Sequence, residues 1–130
     1  MTDAPRFHFT KIRVADLDKE FAFYSAAFNR IEKYRVTTGE GVEALDEIIM
    51  TTPDGDEPSL VLLHYPNQPV PTPGSVVIGF SVADVDATTE AAARAGGTVV
   101  TAPHDMPEHG IRVAFVQDPE GHLVELFGRL

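Results

Sequence analysis

The sequence predicts an α+β fold of two tandem β-α-β-β-β modules, and two internal repeats carry this prediction. The stretch Val14-Ala15-Asp16-Leu17-Asp18 returns 68 residues later as Val82-Ala83-Asp84-Val85-Asp86, each time between an apolar run and a helical pattern. An apolar strand pattern also repeats, because Leu60-Val61-Leu62-Leu63 matches Leu123-Val124-Glu125-Leu126 at an offset of 63. Self-similarity at a nearly fixed spacing indicates repeated structural units. Each position in one module therefore has an equivalent in the other, which we call its twin.

The turns before those last strands match as well. Pro53-Asp54-Gly55 corresponds to Pro119-Glu120-Gly121 at an offset of 66, and Asp56-Glu57-Pro58 is an insertion of three residues in the first module. Proline, aspartate and glycine are residues that favour tight turns. Both modules are therefore expected to end in a turn followed by a strand.

The first module is predicted to contain a strand, a helix and three further strands. Alternating side chains predict a strand over 7–14, with Ile12 and Val14 facing the core. Asp16 is predicted to cap a helix over 17–28 that Asn29 ends. The apolar face of this helix has residues spaced three or four apart: Leu17, Phe21, Tyr24 and Phe28. The three later strands are expected at 31–36, 44–51 and 60–65.

The second module is expected to repeat this order. A strand over 76–82 precedes a helix that Asp84 caps and Gly96-Gly97 ends. The later strands are expected at 98–101, 111–116 and 123–127. A loop over 103–110 carries three side chains that could lie over a cavity mouth: His104, Met106 and His109.

Length and composition limit the classes of function. The 130 residues fit one domain, with a first module at 6–66, a proline-rich linker at 66–74 and a second module at 75–130. A formal charge of −10 and the lack of any apolar run of about 18 residues argue against nucleic-acid and membrane partners. The absence of cysteine excludes disulfides and is typical of a cytoplasmic protein. Phosphate-binding loops, dinucleotide fingerprints and serine-hydrolase motifs do not occur.

The last turn and strand of the second module, together with the repeated helix start, resemble a known family. Asp118-Pro119-Glu120-Gly121-His122-Leu123-Val124-Glu125-Leu126 resembles the last turn and strand of the vicinal oxygen chelate superfamily, which includes glyoxalase I, extradiol dioxygenases and bleomycin-resistance proteins. The resemblance covers essentially the whole chain. It implies two curved sheets that form an open barrel around a cavity, with the helices outside, and usually a homodimer.

The resemblance also implies where a metal site would lie. Metal-dependent members of the superfamily carry ligands at four inward-facing strand positions, typically two His or Gln and two Glu. The repeat places these positions at Phe9, Val77, Leu62 and Glu125. Phenylalanine, valine and leucine have no lone pair to give a divalent cation. We therefore expect the standard metal site to be lost and no cofactor to be needed.

An alternative metal site stays open at this point. A shift of one residue in the first strand would turn His8 inward, because strand faces alternate. His64 lies two residues after Leu62 and would share its face. His8, His64 and Glu125 could then bind a divalent metal, and the protein would be a metal-dependent lyase or dioxygenase.

The predicted cavity favours binding of a small, partly apolar metabolite or antibiotic. The expected ligand-binding residues share an inward-facing position: Phe9, Lys11, Arg13, Leu62, Val77, Arg112 and Phe127. Because the surface is acidic, a cationic ligand would suit it. The alternative function is a metal-free lyase or isomerase in which Glu125 is the general base and His64 a second catalytic group. Glu125 could instead pair with Arg13, Lys11 or Arg112 and have only a structural role.

Overall fold

The computed structural model describes residues 3–55 and 57–130, so Asp56 of the predicted insertion lies outside the described residues. The strands and helices follow in chain order: β1 (Phe9–Arg13), α1 (Leu17–Phe28), β2 (Ile31–Thr38), β3 (Leu45–Thr51), β4 (Ser59–His64), β5 (Val77–Ser81), α2 (Val85–Arg94), β6 (Thr98–Met106), β7 (Ile111–Gln117) and β8 (Leu123–Arg129). Short 3₁₀ turns lie at Gly41–Glu43 and Pro107–His109. Among the described residues, no helix is long and apolar enough to cross a membrane.

The strands form two open sheets with the same topology. Their orders are β1-β4-β3-β2 and β5-β8-β7-β6. In each sheet the first strand of the module runs parallel to the last, and the other neighbours are antiparallel. The predicted α+β fold of two β-α-β-β-β modules is therefore confirmed.

Local capping explains where helix α2 begins and where helix α1 ends. The side chain of Asp84 accepts a hydrogen bond from the amide of Ala87, which satisfies one of the unpaired donors at the start of α2. Helix α1 covers Leu17–Phe28 as predicted, and Asn29 follows it in the left-handed conformation with φ 53°. Asparagine tolerates this conformation better than most residues, which explains the helix end.

The predicted loop over 103–110 is wrong for its first half. Strand β6 continues to Met106 and pairs with β7, and its register shifts between Val99 and Thr101 and again between Thr101 and His104. Such bulges interrupt the ladder, and β6 lies at the edge of its sheet. Pro103 can therefore remain in the strand although it has no amide hydrogen to donate.

The chain divides into two compact units, which do not follow the modules strictly. Unit 1 contains the chain up to Leu17 and Arg30–Val70, whereas unit 2 contains Asp18–Asn29 and Pro71–Leu130. Helix α1 thus belongs almost entirely to the unit of the second sheet. Phe28 of α1 stacks on Phe80 of β5, with ring centroids 4.5 Å apart. This contact packs Phe28, one residue of the apolar helix face that the sequence predicts, against β5.

Candidate functional site

A cavity of about 230 Å³ opens on the first sheet. Its walls come from the sheet strands and the residue before them: His8, Phe9, Lys11, Lys33, Tyr34, Val36, Glu47, Ile49, Ser59 and Val61. Of the residues that the sequence predicts to bind a ligand, Phe9 and Lys11 line this cavity. Its volume lies below the range of pockets that hold drug-sized molecules.

The cavity contains more positive than negative charge. Lys11 Nζ lies 3.0 Å from Glu47 Oε2 and 5.2 Å from the centroid of the Phe9 ring. Lys33 is the extra residue of a β-bulge, where the register of β2 against β3 shifts between Glu32 and Tyr34. Bulges re-aim side chains. Among the described residues, Lys33 makes no side-chain hydrogen bond or ion pair, so the cavity carries one unneutralised cation.

Leu62 does not face this cavity, and its assignment as a ligand-binding residue is corrected. In the parallel pairing, Lys11 lies opposite Val61, whereas Ile12 lies opposite Leu62. Leu62 is fully buried on the other face of the sheet, against Ile48. Because Phe9 pairs with Ser59 as Val77 pairs with Leu123, the last strands are offset by 64 residues rather than 63. The twin of Glu125 is therefore Val61.

The other two predicted residues of the first module are engaged elsewhere. His64 shares the face of Leu62, and its Nδ1 lies 2.9 Å from the carbonyl oxygen of Val14. Arg13 places its guanidinium 4.5 Å from the centroid of the Tyr65 ring and donates to Gln68 Oε1 at 3.2 Å. Neither side chain lines the cavity.

The second sheet carries Glu125 on a largely apolar face. Glu125 pairs with Gly79 on one side and Phe115 on the other, and Val77 and Phe127 lie on the same face. A Cβ atom added at Gly79 would meet nothing within 4 Å, so there is open space beside the carboxylate. Among the residues that the structure describes, the half-buried Glu125 side chain makes no hydrogen bond or ion pair.

Arg112 faces the opposite side of that sheet, which corrects its assignment to the inward set. It pairs with Gly128, and this pair lies three positions along the strands from the pair of Phe115 and Glu125. Because strand faces alternate, the two pairs lie on opposite faces. Its guanidinium donates to both carboxylate oxygens of Asp86, at 2.8 and 3.0 Å, and to Asp105 Oδ1 at 2.8 Å. Arg112 therefore links helix α2 to the edge strand β6 and is not available to pair with Glu125.

Three potential metal ligands converge at a different place in unit 2. Within the described part of the chain, the one group of three such side chains with ligand atoms within 4.8 Å of one another is Glu20, Asp118 and His122. All three are buried.

Burial and close contacts shift the pKa values of this cluster. Burial raises the pKa of Glu20 to about 7. Burial lowers the pKa of His122, but the hydrogen bond to Asp118 and the nearby carboxylate of Glu20 outweigh it and raise the value to about 10. Burial acts to raise the pKa of Asp118, yet the hydrogen bonds from His122 leave it below its usual value.

Several cavity residues were not predicted from the internal repeat. The predicted ligand positions lie on the first and last strands of each module, whereas β2 and β3 carry Lys33, Tyr34 and Glu47. The signal for Glu47 was its position inside an apolar strand, since a carboxylate there needs a partner. No sequence signal indicated the bulge at Lys33.

Comparisons with known proteins agree with this architecture. A probable lactoylglutathione lyase from Synechocystis sp. is 30% identical over 127 residues, which cover 90% of this chain and 90% of the relative. One from Vibrio cholerae serotype O1 is also 30% identical, over 90% of this chain and 86% of the relative.

Solved structures show the same fold. A glyoxalase family protein from Bacillus cereus superposes with a TM-score of 0.80 at 22% identity, covering 99% of this chain and 97% of that one. A glyoxalase I mutant from Zea mays superposes with a TM-score of 0.76 at 22% identity, and the chain spans 46% of its length. The profile of the Glyoxalase/Bleomycin resistance protein/Dioxygenase superfamily matches residues 6–126. The chain therefore belongs to the Glyoxalase/Bleomycin resistance protein/Dioxygenase superfamily.

Proposed function

We propose that this protein binds a small molecule with an apolar, ring-sized body and an anionic group in the cavity of its first sheet. The cavity itself is the observation that carries the proposal. Phe9, Tyr34 and Ile49 supply an apolar and aromatic lining, which is typical of small-molecule sites. Polar groups within such a lining fix the orientation of the ligand.

The charges of the cavity favour an anion over a cation. Lys11 and Lys33 contribute two positive charges, and Glu47 contributes one negative charge. Glu47 is already paired with Lys11, whereas Lys33 has no ion pair among the described residues. This local balance opposes the formal charge of −10 of the whole chain. The cationic ligand that the overall charge suggested is therefore the less favoured choice.

The proposed binding does not require the metal of the superfamily. With the corrected register, the four strand positions are occupied by Phe9, Val61, Val77 and Glu125. Three of these side chains have no lone pair, and one carboxylate is a poor site for a divalent ion. The donor set does not fit a catalytic metal, which supports a metal-free binding function at these positions.

The test uses benzoate as a probe of the proposed chemistry. Titration of isotope-labelled protein is expected to shift the amide resonances of Val36, Ile49 and Val61, which line the cavity. Benzamide has the same shape without the charge and should bind at least about threefold more weakly. Shifts confined to the face of Glu125, or equal affinities for both compounds, would contradict the proposal.

Lys33 is the better position for a charge-removing variant. Loss of Lys11 would leave the nearly buried carboxylate of Glu47 without its partner, which would disturb the fold as well as the site. Lys33→Gln removes an exposed charge and should weaken benzoate binding about two- to fivefold. Lys19→Gln, which changes the same charge on helix α1 in unit 2, is the matched control and should leave affinity unchanged.

A metal-free lyase or isomerase is the second candidate function. The observation that favours it is the half-buried carboxylate of Glu125, which has no partner among the described residues and lies beside open space at Gly79. A carboxylate in such a setting can accept a proton from a substrate. The relatives that are named probable lactoylglutathione lyases suggest this lyase reaction, assayed in the direction that forms the lactoylglutathione thioester, as the first to test.

The two candidates give different results for one variant. Glu125→Gln keeps the size of the side chain but cannot accept a proton. If Glu125 is a base, the wild type forms lactoylglutathione in the presence of a chelator, and the variant does not. Absence of wild-type activity under these conditions would reject this lyase reaction at Glu125 and leave the binding function.

The protein is also proposed to form a homodimer. Several large apolar side chains in the second unit are exposed: Val76, Val77, Val99, Val100, Phe127 and Leu130. Exposed apolar side chains of this size are often buried when chains associate. Light scattering coupled to size-exclusion chromatography should give twice the chain mass of 14.1 kDa, and a monomer mass would reject this.

A further inference from the structure

The strongest unassigned feature of the molecule lies outside both sheet faces described above. Glu20 is in the first turn of α1, while Asp118 and His122 flank the turn between β7 and β8. Their exposed fractions are 0%, 2% and 8%. All three belong to unit 2. The cluster is therefore almost completely buried, and none of its three residues lines the cavity of the first sheet.

The spacing of the ligand atoms matches that around a metal ion. His122 Nδ1 lies 2.8 Å from Asp118 Oδ2 and 3.5 Å from Glu20 Oε1. Donor atoms about 2.0–2.2 Å from one ion are about 3.0–3.5 Å from each other in octahedral or tetrahedral geometry. These two separations fall close to this range, and all three ligand atoms lie within 4.8 Å of one another.

The environment of the Glu20 carboxylate separately indicates a bound ion. Both of its oxygens are buried and have no hydrogen-bond partner within the described residues. Among the described residues, its contact with an opposite charge is from Oε1 to His122 Nδ1 at 3.5 Å, which is too long for a good hydrogen bond. A buried carboxylate without hydrogen bonds is costly, and its two oxygens could supply two ligand atoms. With Asp118 and His122, that would give the four ligands of a closed structural site.

The neighbours of the cluster resemble the outer shell of a metal site. Tyr24 Oη donates to Asp118 Oδ2 at 2.9 Å. The amides of Glu120 and His122 donate to Asp118 Oδ1 at 3.0 and 2.9 Å. Hydrogen bonds of this kind fix the orientation of carboxylate ligands. They hold Asp118 in place whether or not an ion is present.

We propose that Glu20, Asp118 and His122 form a structural site for a divalent transition-metal ion, separate from the strand positions that carry metal in other superfamily members. Two carboxylates and one neutral imidazole would balance the charge of a divalent ion within the buried cluster. The ion would replace the proton that His122 Nδ1 now shares with Asp118, and that proton would leave to solvent. Mixed oxygen and imidazole ligands suit Zn²⁺, which serves as the probe.

The test measures Zn²⁺ binding to the full chain by titration calorimetry and by metal content after dialysis. The wild type is expected to bind one equivalent and to unfold at a higher temperature with Zn²⁺ than with a chelator. Glu20→Gln should weaken binding at least about 100-fold and abolish the thermal shift, since it removes a direct ligand. Tyr24→Phe, which removes an outer hydrogen bond, should weaken binding about tenfold.

Two controls separate this site from any other. Glu125→Gln and His8→Ala change potential ligands on the sheet faces and should leave Zn²⁺ affinity unchanged. His122→Gln serves as a second ligand variant, and circular dichroism confirms that each variant folds. Less than about 0.1 equivalent of Zn²⁺ in the wild type, or full binding by both folded ligand variants, would overturn the proposal.

Discussion

Removal of one hydroxyl group, in Tyr24→Phe, should destabilise the chain measurably. Tyr24 is fully buried, and its Oη donates to Asp118 Oδ2 over 2.9 Å. The hydrogen bond joins helix α1 to the turn before β8. The phenol stays protonated because burial, the largest cause, and the nearby Asp118 charge both raise the pKa of Tyr24. The hydroxyl is thus a permanent donor to a charged acceptor.

The expected loss in the free energy of unfolding is about 2 kcal/mol. Hydrogen bonds to charged groups contribute about 1.5–3 kcal/mol, and solvent cannot replace this one because both partners are buried. The value stays below the top of that range since His122 Nδ1 still contacts Asp118 Oδ2 at 2.8 Å. The phenylalanine ring keeps the packing against Phe23 and Phe28, so no cavity term is added.

Urea unfolding at pH 7 in the presence of a chelator gives the measurement. Tyr65→Phe is the matched control, because its ring stacks with Arg13 and its hydroxyl makes no hydrogen bond among the described residues. The control should lose less than about 0.5 kcal/mol. A loss for Tyr24→Phe that is equally small would refute the assignment of the buried hydrogen bond.

Two further perturbations test the interior of unit 2. With a chelator present, the change in the free energy of unfolding caused by Glu20→Gln should be more positive at pH 8 than at pH 5. Burial raises the pKa of Glu20 from 4.5 to about 7. The stability that the protonated carboxyl group contributes is therefore fully present below pH 4.5 and is lost as the pH rises through 7. His122 stays protonated beside Asp118 across this window, with a pKa of about 10. An identical stability difference at both pH values, measured by urea unfolding, would contradict this. Gly97→Ala should cost about 1–3 kcal/mol because its Cβ would lie 2.6 Å from a backbone carbonyl oxygen, whereas Gly79→Ala meets nothing within 4 Å and should be close to neutral. Thermal unfolding measures the stability of both variants, and equal stabilities would contradict the packing around Gly97.

Local signals made the helices and most strands predictable. Asp84 and Asn29 define helix ends through caps that act over a few residues. The turns at Pro53 and Pro119 likewise depend on residues adjacent in the sequence. Because these signals are local, the sequence contains all the information that they require.

The sheet faces were harder to predict, because strand side chains alternate with every residue. An error of one in the offset between the last strands moved the predicted ligand position from Val61 to Leu62, which is on the opposite face. The same alternation placed Arg112 with the inward set, although it faces helix α2 and Asp86. Register depends on pairing between distant strands, which one sequence does not reveal.

The sequence did not predict that Glu20 and His122 lie together, because their contact is long-range. Glu20 and His122 are about a hundred positions apart, and no periodicity relates them. A local signal existed, since Glu20 lies four residues before Tyr24 and so shares its buried helix side. An acidic residue on that side of a helix requires a partner or an ion, but the sequence does not indicate which turn supplies it.

The ratio of the dissociation constants for benzamide and benzoate reports whether the cavity of the first sheet selects an anion. It should be measured on wild type, Lys33→Gln and Lys19→Gln. We expect a ratio of at least about three in the wild type and in Lys19→Gln, and a ratio near one in Lys33→Gln. A ratio that is near one in the wild type, or that Lys33→Gln leaves unchanged, would contradict the proposed function.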